Sequence, residues 1–319
     1  MSGDHTGAAS DPPAGLRSLG LDGPLVSELC IGTSPLGGMP QLYGHDVDPE
    51  VAVATVEYAI TQPSIAFLDT SNNYGRGESE RRIGEAIRRV GGLPDGFVVA
   101  TKADPAPGDR QFTGSRVFES FAESLDRLGL ERVPVFYLHD PEAFDFDDLT
   151  APGGAVDAMK ELKRRGSVDV IGVAGGDLAA MRRYVDTGAF DILLNHNQYT
   201  LLDRSADDLI DYAVGAGLSY VNAAPYASGL LAKPGKDRPR YQYREPSAAI
   251  LARTQRLSDA CDRFGVPLAA AALQFSTRDP RVSSTVVGVS SPARVEELLR
   301  NSAAHIPFEL WSQLEDVRE

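Results

Sequence analysis

From residue 28 onward the chain repeats one pattern: a short β-branched or apolar run, a polar loop, then a stretch with helical periodicity. The runs are ELCIG (28–32), IAFLD (65–69), FVVAT (97–101), PVFYL (134–138), VDVIGVA (168–174), FDILL (190–194), LSYVNAA (218–224) and STVVGV (284–289). Helix-like segments follow at 49–61, 78–90, 115–129, 154–166, 177–187, 205–216, 249–277 and 292–301. Several open on a cap or an acidic first turn, at Asp177, Asp203 and Ser291-Pro292. Several close on glycine, at Gly129, Gly166 and Gly217. Strands and helices alternating in this way over roughly 270 residues predict a parallel (β/α)8 TIM barrel in one domain. The rival is a doubly wound open sheet, which announces itself by GxGxxG after its first strand. Here the first strand runs into GTSPLGG (32–38), which lacks that spacing and leads to no immediate helix.

The flanks fit this plan. Residues 16–27 alternate apolar and polar around Asp22-Gly23, a hairpin signal, and such a hairpin can plug the N-terminal end of a barrel. In 303–319, Phe308, Leu310, Trp311 and Leu314 recur at helical spacing, so a C-terminal helix should pack back on the body. The stretch 232–247 is rich in Pro and basic residues without periodicity and reads as a long functional or mobile loop. Gly, Ser, Ala and Pro dominate residues 1–15, which predicts a disordered tail ahead of a barrel over 16–319. That tail has neither the basic nor the apolar region of a signal peptide. No apolar run approaches the ~18–20 residues of a membrane helix. A net charge of −14 disfavours nucleic acid and anionic membranes as partners. Two distant cysteines, Cys30 and Cys261, make no disulfide framework, so the cytoplasm is the expected compartment.

In a barrel of this type the chemistry sits at the C-terminal strand ends and in the loops after them. Asp69 ends the second strand and Tyr74 lies in the loop beyond it; Lys102 follows the third strand and His139 the fourth. Each has a plain structural explanation when taken alone: a turn residue, an exposed ring, a solvated ammonium, a hydrogen-bonded imidazole. Placed on adjacent strands they make a chemical set. A Lys102 ammonium beside Tyr74 favours the phenolate, and Asp69 can hold Lys102 charged. A neutral His139 can donate to a substrate carbonyl oxygen. The outcome is a tyrosine general acid/base for a carbonyl/alcohol pair.

The motifs DTSNNYG with GESERRIG, then TK, then YLHDP, together resemble the aldo-keto reductase family. The likeness runs from LRSLGLDGPLVSELCIGTSPLGG (16–38) through PLAAAALQF (267–275) to GVSSPARVEEL (288–298). HNQYTLLDRSADDLI (196–210) and NAAPYASGLLA (222–232) are similar to the branch of sugar 1-dehydrogenases (D-threo-aldose or L-fucose type) and pyridoxal 4-dehydrogenase. The resemblance implies an Asp69/Tyr74/Lys102/His139 tetrad in a (β/α)8 barrel that binds an extended nicotinamide cofactor without a Rossmann domain. It implies cofactor contacts from Gly32, Thr33, Asp69, His196, Tyr226, Ser228, Gly229, Leu231 and Gly288. Ser290, Ser291, Arg294 and Glu297 would take the adenosine end, with Arg294 on a 2′-phosphate and Glu297 on adenine.

The sequence departs from the family at the nicotinamide end. Where many members carry Ser-Asn after the fifth strand, this chain has Ala174 and Gly175; His196 replaces a usual Gln. The usual stacking aromatic aligns near Ala223, with Tyr226 three residues on. Arg294 favours NADP(H), with NAD(H) open. The five histidines show no HxH or HExxH spacing and neither cysteine belongs to a CxxC, so no metal is expected. The expected partner is a small carbonyl or alcohol; oligomeric state is not encoded legibly. Tyr43, Phe112, Phe144 and Phe146 suggest an apolar substrate wall, suited to an aromatic carbonyl as readily as to a sugar. A nicotinamide-binding regulatory subunit with little turnover is the alternative, and a metal-assisted barrel hydrolase a weaker third.

Overall fold

The computed structural model describes residues 15–44, 46–108, 111–233, 241 and 244–316. The expected disordered tail thus lies outside the described residues, apart from Gly15, as does much of the 232–247 stretch. Strands β1 (Leu16–Ser18) and β2 (Leu25–Ser27) pair antiparallel. The eight apolar runs then give β3 (Leu29–Gly32), β4 (Phe67–Asp69), β5 (Val98–Ala103), β6 (Val135–His139), β7 (Val170–Gly175), β8 (Ile192–His196), β9 (Ser219–Ala223) and β10 (Val282–Gly288). These pair in chain order, all parallel, and β10 closes on both β9 and β3 as a barrel. β5 and β6 extend past the expected ends, so Lys102 and His139 are strand residues rather than loop residues.

Strand periodicity sorts the side chains. Leu29, Ile31, Leu68, Val99, Phe136, Leu138, Ile171, Val173 and Leu193 face out and pack under the helices in the larger core. Their neighbours Cys30, Phe67, Val98, Ala100, Val135, Tyr137, Val170, Ala174, Ile192, Leu194, Val221 and Val286 fill the barrel. Burying each large apolar side chain of this kind contributes about 1.5–3 kcal/mol. The Tyr137 ring fits because residue 172 is glycine: a Cβ there would stand 2.4 Å from Tyr137 Cδ1. Since period two governs each strand, the inward row ends at the top in Asp69, Lys102, His139 and His196, the polar residues of the strand ends.

The hairpin does plug the lower end, for Leu19 and Val26 are fully buried in the interior cluster. Its connection is not a tight turn at Asp22-Gly23. The loop spans 19–24, closed by the Leu19 amide donating to Pro24 O at 3.0 Å, and it is Gly20 that takes a positive φ of 78°. The expected helix over 249–277 is two helices, Ala248–Arg263 and Leu268–Thr277. Gly265, at φ 65°, and Pro267 at the second N-cap break it, since a left-handed glycine ends one helix and proline starts another. Asp177 caps its helix by accepting from Ala180 N. Asp203 does not cap; the next helix starts at Asp207 after Ala206. The C-terminal helix Phe308–Asp316 buries Leu310 and Leu314, whereas Phe308 is 77% exposed. No described helix is long and apolar enough to cross a membrane.

Candidate active site

The upper mouth of the barrel opens into a cavity of about 1040 Å³. Asp69, Tyr74, Lys102 and His139 all line it, so the structure brings together the four residues singled out at the strand ends. Lys102 Nζ lies 2.5 Å from Asp69 Oδ1, 2.7 Å from Thr70 O and 3.3 Å from the Tyr74 hydroxyl. The Tyr74 and His139 rings meet edge to face, 5.7 Å between centroids.

Tyr74 is held in place by its own loop. Gly75, at φ 62°, passes so close to Gly37 that a Cβ would stand 1.8 Å from Gly37 O. The turn closes through Tyr74 N to Ser71 O and Ser79 N to Tyr74 O, both 3.2 Å. From the far side Arg127, on the helix Gly114–Leu128, donates to Asn72 O at 3.0 Å and to the buried Glu80 at 3.1 Å. Arg116 on the same helix bonds Asp104 O at 3.0 Å and reaches Asn72 Oδ1 at 3.4 Å. The loop is therefore pinned at three points, and the phenol is placed by backbone and buried ion pairs rather than by its own exposure.

Burial pushes the Tyr74 phenol well above its ordinary range, and the Asp69 carboxylate adds to the rise. This is opposite to the lowering expected from Lys102. The ammonium is already engaged by Asp69 and Thr70, and reaches the phenol only at the long end of hydrogen-bond distance. Burial also raises Asp69, against the Lys102 charge that lowers it. For His139, burial lowers the pKa but the Asp104 and Asp140 carboxylates outweigh it, and the net shift is upward. His139 Nδ1 lies 2.8 Å from Asp104 Oδ1. His196 is lowered, chiefly by burial, and its Nδ1 contacts Asn197 Nδ2 at 2.9 Å.

The cavity continues from the tetrad across Gly32, Ala223 and Ala224 to the helix Pro292–Ala303. His196, Tyr226, Ser228, Gly229, Gly288, Ser290, Arg294 and Glu297 line it. Thr33, Leu231 and Ser291 do not. Thr33 is fully buried and donates from Oγ1 to Asp69 O at 2.9 Å, a structural bond between strand ends. Leu231 is fully buried in the outer core. Ser291 holds the N-cap position with no side-chain cap bond. Arg294 Nη1 pairs with Glu297 Oε2 one turn along the helix. The expected aromatic wall is also redistributed. Tyr43 lines the cavity with Pro35, Met39 and Leu42, whereas Phe112 packs on Phe144 and Phe146 on Tyr184, outside the lining.

Several lining residues were assigned no role from the sequence, among them Asp104, Asp140, Asn197, Ala224 and Lys233, although the loop 104–112 and the stretch after Tyr226 read as pocket-lining. Asp104 carried a readable signal, since it stands two positions after Lys102 and so on the same side of the chain. Asp140, Asn197 and Ala224 each follow a strand end and each adopt positive φ, at 43°, 68° and 60°. Left-handed backbone at non-glycine residues stores strain of order 1–3 kcal/mol and gathers where side chains must be aimed into a site. Among the described residues no cluster of His, Cys, Asp and Glu is arranged to hold a metal ion.

The cavity is as large as the upper end of ordinary small-molecule sites, about 1,000 Å³, with room for an extended cofactor and a small substrate side by side. Its far end meets a helix N-terminus beside Arg294, a setting that favours phosphate. The residues present thus fit a nicotinamide dinucleotide.

Comparison with known proteins gives a consistent picture. The sequence model of the Aldo/keto reductase family matches residues 28–319. The chain is 31% identical to pyridoxal 4-dehydrogenase of Microbacterium luteolum, over 93% of this chain and 96% of that protein. It is 33% identical to D-threo-aldose 1-dehydrogenase of a Pseudomonas species, over 80% of this chain and 84% of that one. Among solved structures, an aldo-keto reductase from Bacillus halodurans in its holo form superposes with a TM-score of 0.77 at 23% identity, covering 95% of this chain and 96% of that one. That last likeness speaks for the fold.

Proposed function

The chain belongs to the aldo/keto reductase family, and on that premise we propose how the residues of its barrel mouth divide the work. The protein is an NAD(P)-dependent oxidoreductase that interconverts a carbonyl and an alcohol. When bound, the nicotinamide supplies or takes up the hydride at the substrate carbon.

In our reading Tyr74 is the general acid/base. In the reductive direction its hydroxyl gives a proton to the substrate oxygen, and Lys102 Nζ, 3.3 Å away, stabilises the phenolate left behind. Asp69 keeps Lys102 aimed at that oxygen, and His139 hydrogen-bonds the reacting oxygen from the neighbouring strand. The burial that raises Tyr74 keeps it a phenol at neutral pH, the form an acid needs. In the oxidative direction the same burial opposes the base form, so oxidation should quicken as pH rises. The observation that carries this reading is the single buried contact chain Asp69–Lys102–Tyr74 opening on the cavity that His139 also lines.

Ser290 and Arg294 would hold the adenosine phosphate, Glu297 the adenine, Ser228 and Gly229 the pyrophosphate, and His196 the nicotinamide end. Arg294 favours NADP(H) over NAD(H): it is paired with Glu297 in a half-exposed contact, and such pairs are worth little against a dianionic phosphate. The names of the similar proteins and the mixed lining of Met39, Leu42 and Tyr43 point to aldoses or aromatic aldehydes and their alcohols as substrates. Two free, buried cysteines suit a reducing cytoplasm. The test is a panel of aldoses, pyridoxal-like aldehydes and matching alcohols, read by the absorbance of reduced nicotinamide with each cofactor. Turnover on none of them would overturn the reading; turnover with NADH alone would overturn the cofactor preference.

A further inference from the structure

Asp104 has no part in the tetrad, yet it is 4% exposed and is held from every side. Its Oδ2 accepts from the Ser71 hydroxyl and from the Asn73 amide, the latter at 2.9 Å. Its backbone amide donates to Ser120 Oγ at 3.1 Å, and Arg116 Nε donates to its carbonyl at 3.0 Å. Only Oδ1 remains, and it faces His139 Nδ1 at 2.8 Å.

We propose that Asp104 is a positioning residue that keeps the neutral His139 ring protonated on Nδ1, so that Nε2 donates to the reacting oxygen only while the ring is charged. This rests on the reading that His139 faces the substrate oxygen. The tautomer follows from the donor inventory. An ionised carboxylate only accepts, so the hydrogen in the Asp104–His139 contact belongs to Nδ1. Ser71 has one hydroxyl hydrogen and gives it to Asp104 Oδ2. Its 3.0 Å contact with Nδ1 therefore makes Ser71 a second acceptor rather than a donor. Nε2 is left without a hydrogen-bond partner among the described residues; Asp140 Oδ2 is 3.8 Å away.

The charged and titratable groups around the ring come from four elements. Asp69 and Tyr74 stand at and beyond the end of β4, Lys102 and Asp104 on β5 and just past it, Asp140 beside the ring itself, and His196 at the end of β8. Asp104 is held in its charged form by His139 and by its bonds to Ser71 and Asn73, against the burial that would raise it. The net effect on His139 is upward. The imidazolium therefore extends to higher pH than for an ordinary histidine and offers Nε2–H to the reacting oxygen, in the transition state that reduction and oxidation share. The neutral ring has only a lone pair at Nε2 and withholds this bond, since the one hydroxyl hydrogen of an alcohol goes to Tyr74. The proton that ends on the substrate oxygen is still that of Tyr74; His139 contributes a hydrogen bond and keeps its own. The Asp104–His139 pair would thus set the pH above which both directions lose this hydrogen bond.

Asp104→Asn is the decisive variant. Ser71 and Asn73 still require an acceptor at the Oδ2 position, so the amide oxygen takes that place and the amide nitrogen faces His139. That nitrogen donates to Nδ1 and moves the ring proton to Nε2. Nitrogen-15 NMR of the histidines in the full-length chain, assigned with His139→Gln, reads the tautomer without any turnover. The expected result is an Nδ1–H ring in the wild type above its titration, an Nε2–H ring in Asp104→Asn, and a titration of His139 displaced to lower pH in the variant. In kinetics, the part of the alkaline fall in kcat/KM that follows the His139 titration should disappear in Asp104→Asn in both directions, because its neutral ring still carries Nε2–H. Asp104→Ala should also displace the titration, since it too removes the charge. An Nε2–H tautomer in the wild type, or an unchanged His139 titration in both variants, overturns the proposal. Full turnover in Tyr74→Phe would instead overturn the reading of the reaction and would leave the NMR result standing.

Discussion

Lys102 Nζ lies 2.5 Å from Asp69 Oδ1 at a depth where both side chains are almost wholly out of water. A pair so buried is poor evidence for stability, because desolvation offsets most of the attraction, but breaking it on one side is expensive. Its value here is placement: Asp69 fixes the ammonium next to the Tyr74 hydroxyl.

Lys102→Met should accordingly lose both stability and turnover. An unpaired buried Asp69 should cost about 3–5 kcal/mol at neutral pH. Adding Asp69→Leu to Lys102→Met should recover much of that stability and none of the activity. Denaturant melts and turnover on the wild type, Lys102→Met and the double variant make the comparison. A double variant as active as the wild type would remove the pair from the chemistry.

Gly75→Ala tests how the phenol is aimed. A methyl group would meet Gly37 O at 1.8 Å in a backbone conformation that already disfavours side chains. The cost should be about 1–3 kcal/mol, as for other overpacked sites, with turnover falling far more than cofactor affinity. A melting temperature and kcat equal to wild type would show that the Gly37–Gly75 contact does not set the position of Tyr74.

Arg294→Ala tests cofactor choice. Loss of one charge-assisted contact to a 2′-phosphate, on the order of 1.5–3 kcal/mol, should raise the Kd for NADPH by ~10–150-fold. NADH affinity should be almost untouched. Calorimetric titration of both cofactors decides it, and equal losses for both would make Arg294 a general anion contact rather than a selector.

The barrel was legible because each strand is a short apolar run whose inward positions alternate with outward ones, and because the loops between carry turn and cap residues. Asp69, Lys102 and His139 could be read together for the same reason, since period two sends all three to the upper inner layer. The helix break at Gly265 and Pro267 was equally present in the sequence but was masked by the apolar periodicity on both sides of it. What the sequence hid were effects of depth. The rise in the Tyr74 pKa comes from burial beneath a loop pinned by Gly37, Arg116 and Arg127, contacts between residues 30 to 50 positions apart or more that no local pattern announces. Phe112, Phe144 and Phe146 could not be told from cavity-lining residues by type alone; they pack on one another and on Tyr184 instead.

The claim on which the rest depends is that Tyr74 moves the proton. Single-turnover oxidation of reduced cofactor by an aldehyde substrate, measured for wild type and Tyr74→Phe at saturating cofactor, isolates that step from binding and release. The phenyl ring should preserve the packing against His139 and leave cofactor affinity unchanged, while the rate should fall by ~10²–10⁴-fold or more. A Tyr74→Phe protein that transfers hydride at close to the wild-type rate would contradict it.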